Sequence, residues 1–205
     1  MNLDTSHLFA IAAALGWASG LRLYAVVFLT GLAGQQGWVS LPAGLHLLQQ
    51  PTMLWASGAM LAVEFLADKV PWVDSLWDAV HTVIRIPAGA ALAYAVFGGD
   101  QATWAATAAL MGGMLAATSH TAKATTRAAA NTSPEPFSNL ALSLAGDALV
   151  PTMLWLSWTH PVWFAVVLVV TLVLMVAVTI TLFKFLRGLG GKLHGHFMPT
   201  RLGGA

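Results

Sequence analysis

Residues Val162–Leu186 read VWFAVVLVVTLVLMVAVTITLFKFL, and this run decides the class of fold. It is 25 residues long and carries one charge, Lys184. A helix needs about 20 predominantly apolar residues to cross a bilayer core. No water-exposed helix of a globular domain looks like this, because such helices are apolar on one stripe only. The rest of the chain agrees. Of 205 residues, 58% are hydrophobic and 8% are Asp, Glu, Lys or Arg, against roughly 25% charged in a soluble domain. So few charges cannot cover a water-facing surface of this size.

Five further helical segments lie upstream: Leu8–Leu32, Thr52–Val70, Val73–Phe97, Gln101–Ala130 and Ser138–Trp158. Pro51, Pro71, Gly98-Gly99, Pro134, Pro136 and Pro161 mark the joints, as breakers do. Gly34–Gln50 reads as a loop or a short surface helix. The expected fold is all-α, a polytopic bundle of about six transmembrane helices, with residues 1–190 as one domain and 191–205 as a short flexible cytoplasmic tail. Met1–His7 lacks the basic start of a cleaved signal peptide, so the first apolar segment is expected to be retained. Lys184, Arg187, Lys192 and Arg201 place the C-terminal end in the cytoplasm by the positive-inside rule. Six crossings then place both termini there. The connections after the first, third and fifth helices hold no Lys or Arg, which fits.

Three helices per half would make any duplication an inverted 3+3 repeat, with broken helices, as in many transporters. The sequence support is two echoes in conflicting registers. Glu64–Asp68 resembles Ser143–Asp147, while Pro51–Trp55 and Pro151–Trp155 both read PTMLW.

The charges are few and patterned. On a wheel of about 100° per residue, Asp74, Asp78, His81 and Arg85 share a face of roughly 60°. His120, Lys123, Arg127 and Asn131 share one of roughly 80° on the next helix. Folding the chain at Gly98-Gly99-Asp100 sets Asp78 level with Lys123, Asp74 with Arg127 and His81 with His120, to within a turn that Pro87 can shift. Glu64 and Asp68 share a helix face at i, i+4, and Asp147 lies near the level of His120 and Lys123. Arg22 follows Gly16 and Gly20 mid-segment, where a helix break would expose backbone groups to a cavity.

Charges inside a bilayer are expensive and face one another or water. Five cations (Arg22, Lys69, Arg85, Lys123, Arg127) meet five anions (Glu64, Asp68, Asp74, Asp78, Asp147). A site for a bare divalent cation would hold excess carboxylate. The balance suits an anion or zwitterion held by arginine, or a proton relay through histidine and carboxylate. It equally suits a structural ion-pair network. His81 and His120 read more simply as hydrogen-bonded core residues than as metal ligands, and Lys69 as a snorkelling lysine. His194-Gly195-His196 is too slight for a metal site. Trp38, Trp72, Trp104, Trp158 and Trp163 lie near helix ends, as interface anchors do, and the paired small residues from Ala105 to Ala117 mark close helix packing.

No cysteine is present, which excludes disulfides and thiolate metal sites. The net charge of +1 argues against a nucleic-acid partner. No cofactor is expected, and no nucleophile elbow, HExxH or P-loop occurs, so no enzyme is expected. Asn131-Thr132-Ser133 fits a glycosylation sequon, but on the cytoplasmic side, where it carries no meaning.

Four runs bear a resemblance: Val63–Arg85 (VEFLADKVPWVDSLWDAVHTVIR), Ala18–Ala25 (ASGLRLYA), Ser119–Lys123 (SHTAK) and Asn131–Pro136 (NTSPEP). Up to about Pro151 the chain resembles a bacterial membrane family known as domain of unknown function 4126. The resemblance implies a small multi-helix protein of the bacterial inner membrane and implies no activity. A weaker likeness, to cation–proton exchangers carrying Glu-x-Gly-Asp-Lys, lacks the glycine and the spacing. The expectation is a small transporter with a central cavity lined by helices 1 to 5, which holds a small anionic or zwitterionic solute or ion against Arg22 and Arg85, with protons carried by Glu64, Asp147 and the two histidines. The alternative is a non-transport protein that binds lipid or assists a partner around a structural network. A channel would need a homo-oligomer or a continuous polar lumen.

Overall fold

The computed structural model describes residues 3–132 and 136–197, with backbone only at residues 71, 72, 74, 75, 100, 136 and 139 and from 189 onward. Six α-helices follow in order: α1 (Thr5–Gln35), α2 (Pro51–Ala67), α3 (Pro71–Phe97), α4 (Ala102–Ala130), α5 (Pro136–Thr159) and α6 (Pro161–Phe197). Two 3-10 segments, Ala43–Gln49 and Gly99–Gln101, join α1 to α2 and α3 to α4. No strand occurs among the described residues. Thr5–Gln35, Leu76–Phe97, Leu140–Thr159 and Pro161–Gly188 are each long and apolar enough to cross a membrane. The α2 helix has 17 residues, about 25 Å at 1.5 Å per residue, at the short end of the spanning range.

The helix most buried in the bundle is α1, which is apolar all round, as a fully enclosed helix must be. It is not one straight rod. At Arg22 the backbone leaves the helical region (φ −147°, ψ 82°), two residues after Gly20. The first arm runs beside α4 in the same direction. Phe9 packs on Phe97 at 4.9 Å and on Trp104 at 5.6 Å between ring centroids, Gly16 abuts Gly112, and Gly20 abuts Ala116 and Ser119. The second arm runs back. Gly31 lies against Leu48 and Leu54, and Gly44, in the following 3-10 segment, lies against Ala95. Both ends of α1 are therefore level with the end of α3, and α1 is a hairpin with Arg22 at its apex.

This reversal corrects the expectation of six full crossings. The α1 hairpin enters and returns to one end, and α2 to α6 each run from end to end. The start of α1 and the end of α6 consequently lie at opposite ends of the bundle. The Gly34–Gln50 stretch is a packed element rather than a surface loop, since Leu41, Leu45 and Leu48 are buried in the core. The halves do not pack alike. The α1 helix shares a long seam with α5, and α4 has no comparable seam with α2 among the described residues. The α6 helix runs on past residue 190 through His194-Gly195-His196 to Phe197.

Small residues let the hairpin into the bundle. A Cβ on Gly16 would overlap the Gly112 backbone, and one on Gly112 would overlap Ala93 and the Gly89 carbonyl. Close backbone approach of this kind is how membrane helices pack. Gly112→Leu is expected to cost at least about 1–3 kcal/mol through overpacking, read as a lowered unfolding midpoint in detergent.

Trp38, Trp55, Trp104 and Trp163 are exposed around the end that holds the starts of α1, α2, α4 and α6. They form an aromatic belt at one interface. Trp158 differs from the expectation, being buried in the core at 5% exposure, and the Trp72 side chain lies outside the described residues.

Asp4 caps α1, accepting from the His7 backbone N–H at 2.9 Å and the Ser6 hydroxyl at 2.7 Å. The His7 N–H and Ser6 hold its carboxyl well below the ordinary carboxylate range. A depressed folded-state pKa gives stability that is present above the unfolded value, about 3.9, and is lost as pH falls through the folded one. Asp4→Ala is expected to speed hydrogen exchange in the first turn of α1 at pH 7, leaving the rest of the bundle unchanged.

Candidate functional site

The charged residues gather around the apex of the α1 hairpin. Breaking a helix in an apolar interior frees carbonyl groups that need donors. Here α4 supplies one at the break, Lys123 Nζ donating to the Leu21 carbonyl at 3.1 Å, and one turn earlier Ser119 Oγ donates to the Trp17 carbonyl at 2.6 Å.

From the apex a ladder of alternating charge crosses the bundle. Asp147 on α5 lies 2.9 Å from Arg22 Nη2. Arg22 Nη1 lies 3.0 Å from Asp68 Oδ2, at the C-cap of α2. Asp68 also meets Lys123 Nζ at 3.4 Å and Arg127 Nη2 at 3.1 Å. Lys123 continues to Asp78 at 3.1 Å, and Arg127 Nε reaches Asp78 at 3.9 Å. Arg85 closes the ladder, Nη1 on Asp78 at 2.7 Å and Nη2 on Glu64 at 2.8 Å. Arg22 Nη2 also donates to the Ser143 carbonyl and hydroxyl at 3.1 and 3.0 Å. Four cations thus meet four carboxylates drawn from α1 to α5.

Of the residues expected at the site, Arg22, Glu64, Asp68, Asp78, Arg85, Lys123, Arg127 and Asp147 come together. The Asp78–Lys123 level holds despite Pro87. The Asp74 side chain lies outside the described residues. Lys69 stands apart, its ammonium over the Phe65 ring and its Nζ donating to the Phe65 carbonyl at 3.3 Å. Asn131 is exposed at the end of α4.

The two histidines do not pair. His120 Nδ1 lies 3.3 Å from Arg85 Nη1, which can only donate, so Nδ1 accepts and the ring is neutral. Nε2–H then donates to Thr82 Oγ1 at 2.7 Å, and Thr82 passes its own proton to the Asp78 carbonyl at 2.9 Å. His81 donates from Nδ1 to the Trp77 carbonyl at 2.8 Å and takes the Tyr24 hydroxyl on Nε2 at 3.1 Å, with its ring stacked on Trp77. Tyr24, Thr82, Ser119 and Ser143 are the site residues that sequence reasoning missed. Ser143 was detectable, because it lies one turn from Asp147 on the same face of α5. The others carry no charge to mark them.

Exposure along the ladder is confined to one end. Glu64 and Arg85 are fully buried at 0% exposure, and the Asp147 side chain is 26% exposed. A cavity of about 280 Å³ opens beside the apex, between α1, α4, α5 and α6. Arg22, Asp68, Lys123 and Arg127 line its charged side. Glu64, Asp78, Arg85, His120 and Asp147 are not among its lining residues, and α6 forms a wall in place of the expected α3 with Arg85. Among the described residues no group of three His, Asp or Glu converges for a metal ion.

No curated protein and no solved structure matches the chain. The family model described as domain of unknown function (DUF4126) matches residues 9–180. That span takes in the α1 hairpin, the whole ladder and the wall that α6 gives the cavity, beyond the Pro151 limit of the sequence resemblance. By that match over most of its length, this polytopic helical membrane protein belongs to the DUF4126 family.

Proposed function

We propose that the chain is a small membrane transporter whose anionic or zwitterionic solute docks at the α1 apex against Arg22, Lys123 and Arg127. The observation that carries this reading is the reversal of α1 at Arg22 beside a cavity. Irregular backbone at membrane depth is tolerated where it is enclosed by protein or lines a cavity, and transporters build binding sites from such breaks. Asp147, the most exposed of the ladder carboxylates and next in sequence to the cavity residue Gly146, competes with the solute for Arg22, taking up a proton when displaced. The end bearing Lys69, Arg127, Lys184 and Arg187 is cytoplasmic by the positive-inside rule. The membrane is a bacterial inner membrane, in line with the family resemblance. With α1 reversed, the start of α1 then faces outward rather than sharing the cytoplasm with the end of α6.

The test is uptake of a panel of carboxylates, phosphates and amino acids into proteoliposomes, with internal pH followed by dye. Asp147→Asn is expected to abolish the coupling of uptake to the pH gradient while leaving the protein folded. Uptake and coupling equal to wild type in both Asp147→Asn and Arg22→Gln would defeat the proposal.

A second reading applies to the far half of the ladder. Glu64 and Arg85 are fully buried and do not line the cavity at the apex, which favours a purely structural role for the Glu64–Arg85–Asp78–His120 group. Under that role, the paired neutral variant Glu64→Gln with Arg85→Met leaves flux per folded molecule unchanged. Loss of flux with folding retained would instead place the pair on the solute path.

A further inference from the structure

The cavity is charged on one side and apolar on the other. Arg22, Lys123 and Arg127 contribute three cations against one carboxylate, Asp68. The facing wall comes from α5 and α6, through Leu142, Leu149, Leu174, Met175 and Val178, with Thr171 as its polar side chain. A site for a fully hydrated solute would carry more than a single hydroxyl on that side. Leu149, Leu174 and Val178 line the cavity and are 38%, 59% and 43% exposed. Exposed leucine and valine on α5 and α6, both long and apolar enough to span, suit contact with hydrocarbon, which makes this the side of the cavity fit to open to the bilayer. Arginine pairs are suited to phosphate and carboxylate oxygens, and here Arg22 and Arg127 both point at Asp68 Oδ2, at 3.0 and 3.1 Å. Neither Arg22 Nη1 nor Asp68 Oδ2 has an aligned hydrogen bond, so Arg22 Nη1 keeps a donor for an incoming anion.

We propose that this cavity takes an acyl-chain amphiphile with an anionic phosphate or carboxylate head, which enters between α5 and α6 from the bilayer. The head sits on Arg22, Lys123 and Arg127, and the chain lies along Leu149, Leu174 and Val178. This names the ligand class of the transport site and rests on that reading for its place in transport, though binding is measurable without transport.

The experiment is native mass spectrometry of the full chain in detergent, titrated separately with phosphatidylglycerol, oleate, phosphatidylcholine and inorganic phosphate. One equivalent of phosphatidylglycerol or oleate is expected to bind, and the tighter of the two identifies phospholipid or fatty acid as the source. Phosphatidylcholine and inorganic phosphate are expected to bind at least about tenfold more weakly, a difference of about 1.4 kcal/mol. Leu174→Trp fills the apolar side without touching the ladder and is expected to weaken binding at least as much. Arg127→Gln is expected to do the same from the charged side. Equal binding of phosphatidylcholine, binding of inorganic phosphate as tight as that of the amphiphiles, no binding of either anionic amphiphile, or an unchanged Leu174→Trp protein would overturn the proposal. Specific amphiphile binding without flux would defeat the transport reading alone. Flux of a water-soluble solute that survives Leu174→Trp, with no amphiphile bound, would defeat this inference alone.

Discussion

Replacing Arg85 with methionine is expected to destabilise the protein by about 3–5 kcal/mol, the scale for breaking a buried ion pair from one side. Arg85 is fully enclosed and holds Glu64 and Asp78 at 2.8 and 2.7 Å. Removing it leaves a sealed carboxylate, Glu64, with no other ion pair among the described contacts. It also frees His120 Nδ1 from its donor. The cost comes from the stranded charges and not from a large intrinsic strength of the pairs. Neutralising the whole group together should therefore recover most of the loss, because apolar or neutral replacements of complete buried networks are often close to neutral. The comparison is Arg85→Met alone against Arg85→Met with Glu64→Gln and Asp78→Asn, by reversible unfolding in mixed micelles. A triple variant no more stable than the single one would mean that the ladder holds the fold by attraction rather than by mutual neutralisation.

Asp68→Asn is expected to have the second largest effect, and a different one. Asp68 is the carboxylate on which Arg22, Lys123 and Arg127 converge. Neutralising it leaves three cations close together with Asp78 and Asp147 as their remaining described counter-charges. The expected cost is again about 3–5 kcal/mol, but concentrated at the α1 apex. Hydrogen exchange should rise around residues 20–24 and 143–147 well before the seam at Gly16, Gly89 and Gly112 opens. Uniform loosening across the bundle would show instead that Asp68 supports global packing and not the apex.

The class of fold is legible in the sequence because the bilayer imposes length and apolarity that composition reports directly. The charged stripes of α3 and α4 are legible too, since a hairpin with a short turn fixes relative depth by counting. That counting brings Asp78 to Lys123, and it fails for His81 and His120. Level is not contact: Tyr24 from the returning arm of α1 takes one histidine, and Arg85 takes the other. The reversal of α1 is the feature hardest to see. A one-residue break leaves the apolar pattern of a 31-residue helix unchanged, so periodicity reads straight through Arg22. Gly20 hints at it, but so would a glycine in a straight, closely packed helix. A better signal lies in the connection that follows. Leu41, Leu45 and Leu48 recur at helical spacing and are all buried, and a surface loop has no reason to carry them. The cavity is invisible in sequence, because its walls come from four helices and its apolar side is indistinguishable from ordinary lipid-facing surface.

The reversal of α1 is directly testable, because the chain contains no cysteine. Single cysteines at Ser6, Gln36 and Thr132, all exposed, are labelled in sealed vesicles with a membrane-impermeant maleimide. The hairpin predicts that Ser6→Cys and Gln36→Cys react from one face of the membrane and Thr132→Cys from the other. Ser6→Cys reacting from the same face as Thr132→Cys, with Gln36→Cys opposite, would mean that α1 crosses straight through and would contradict the account.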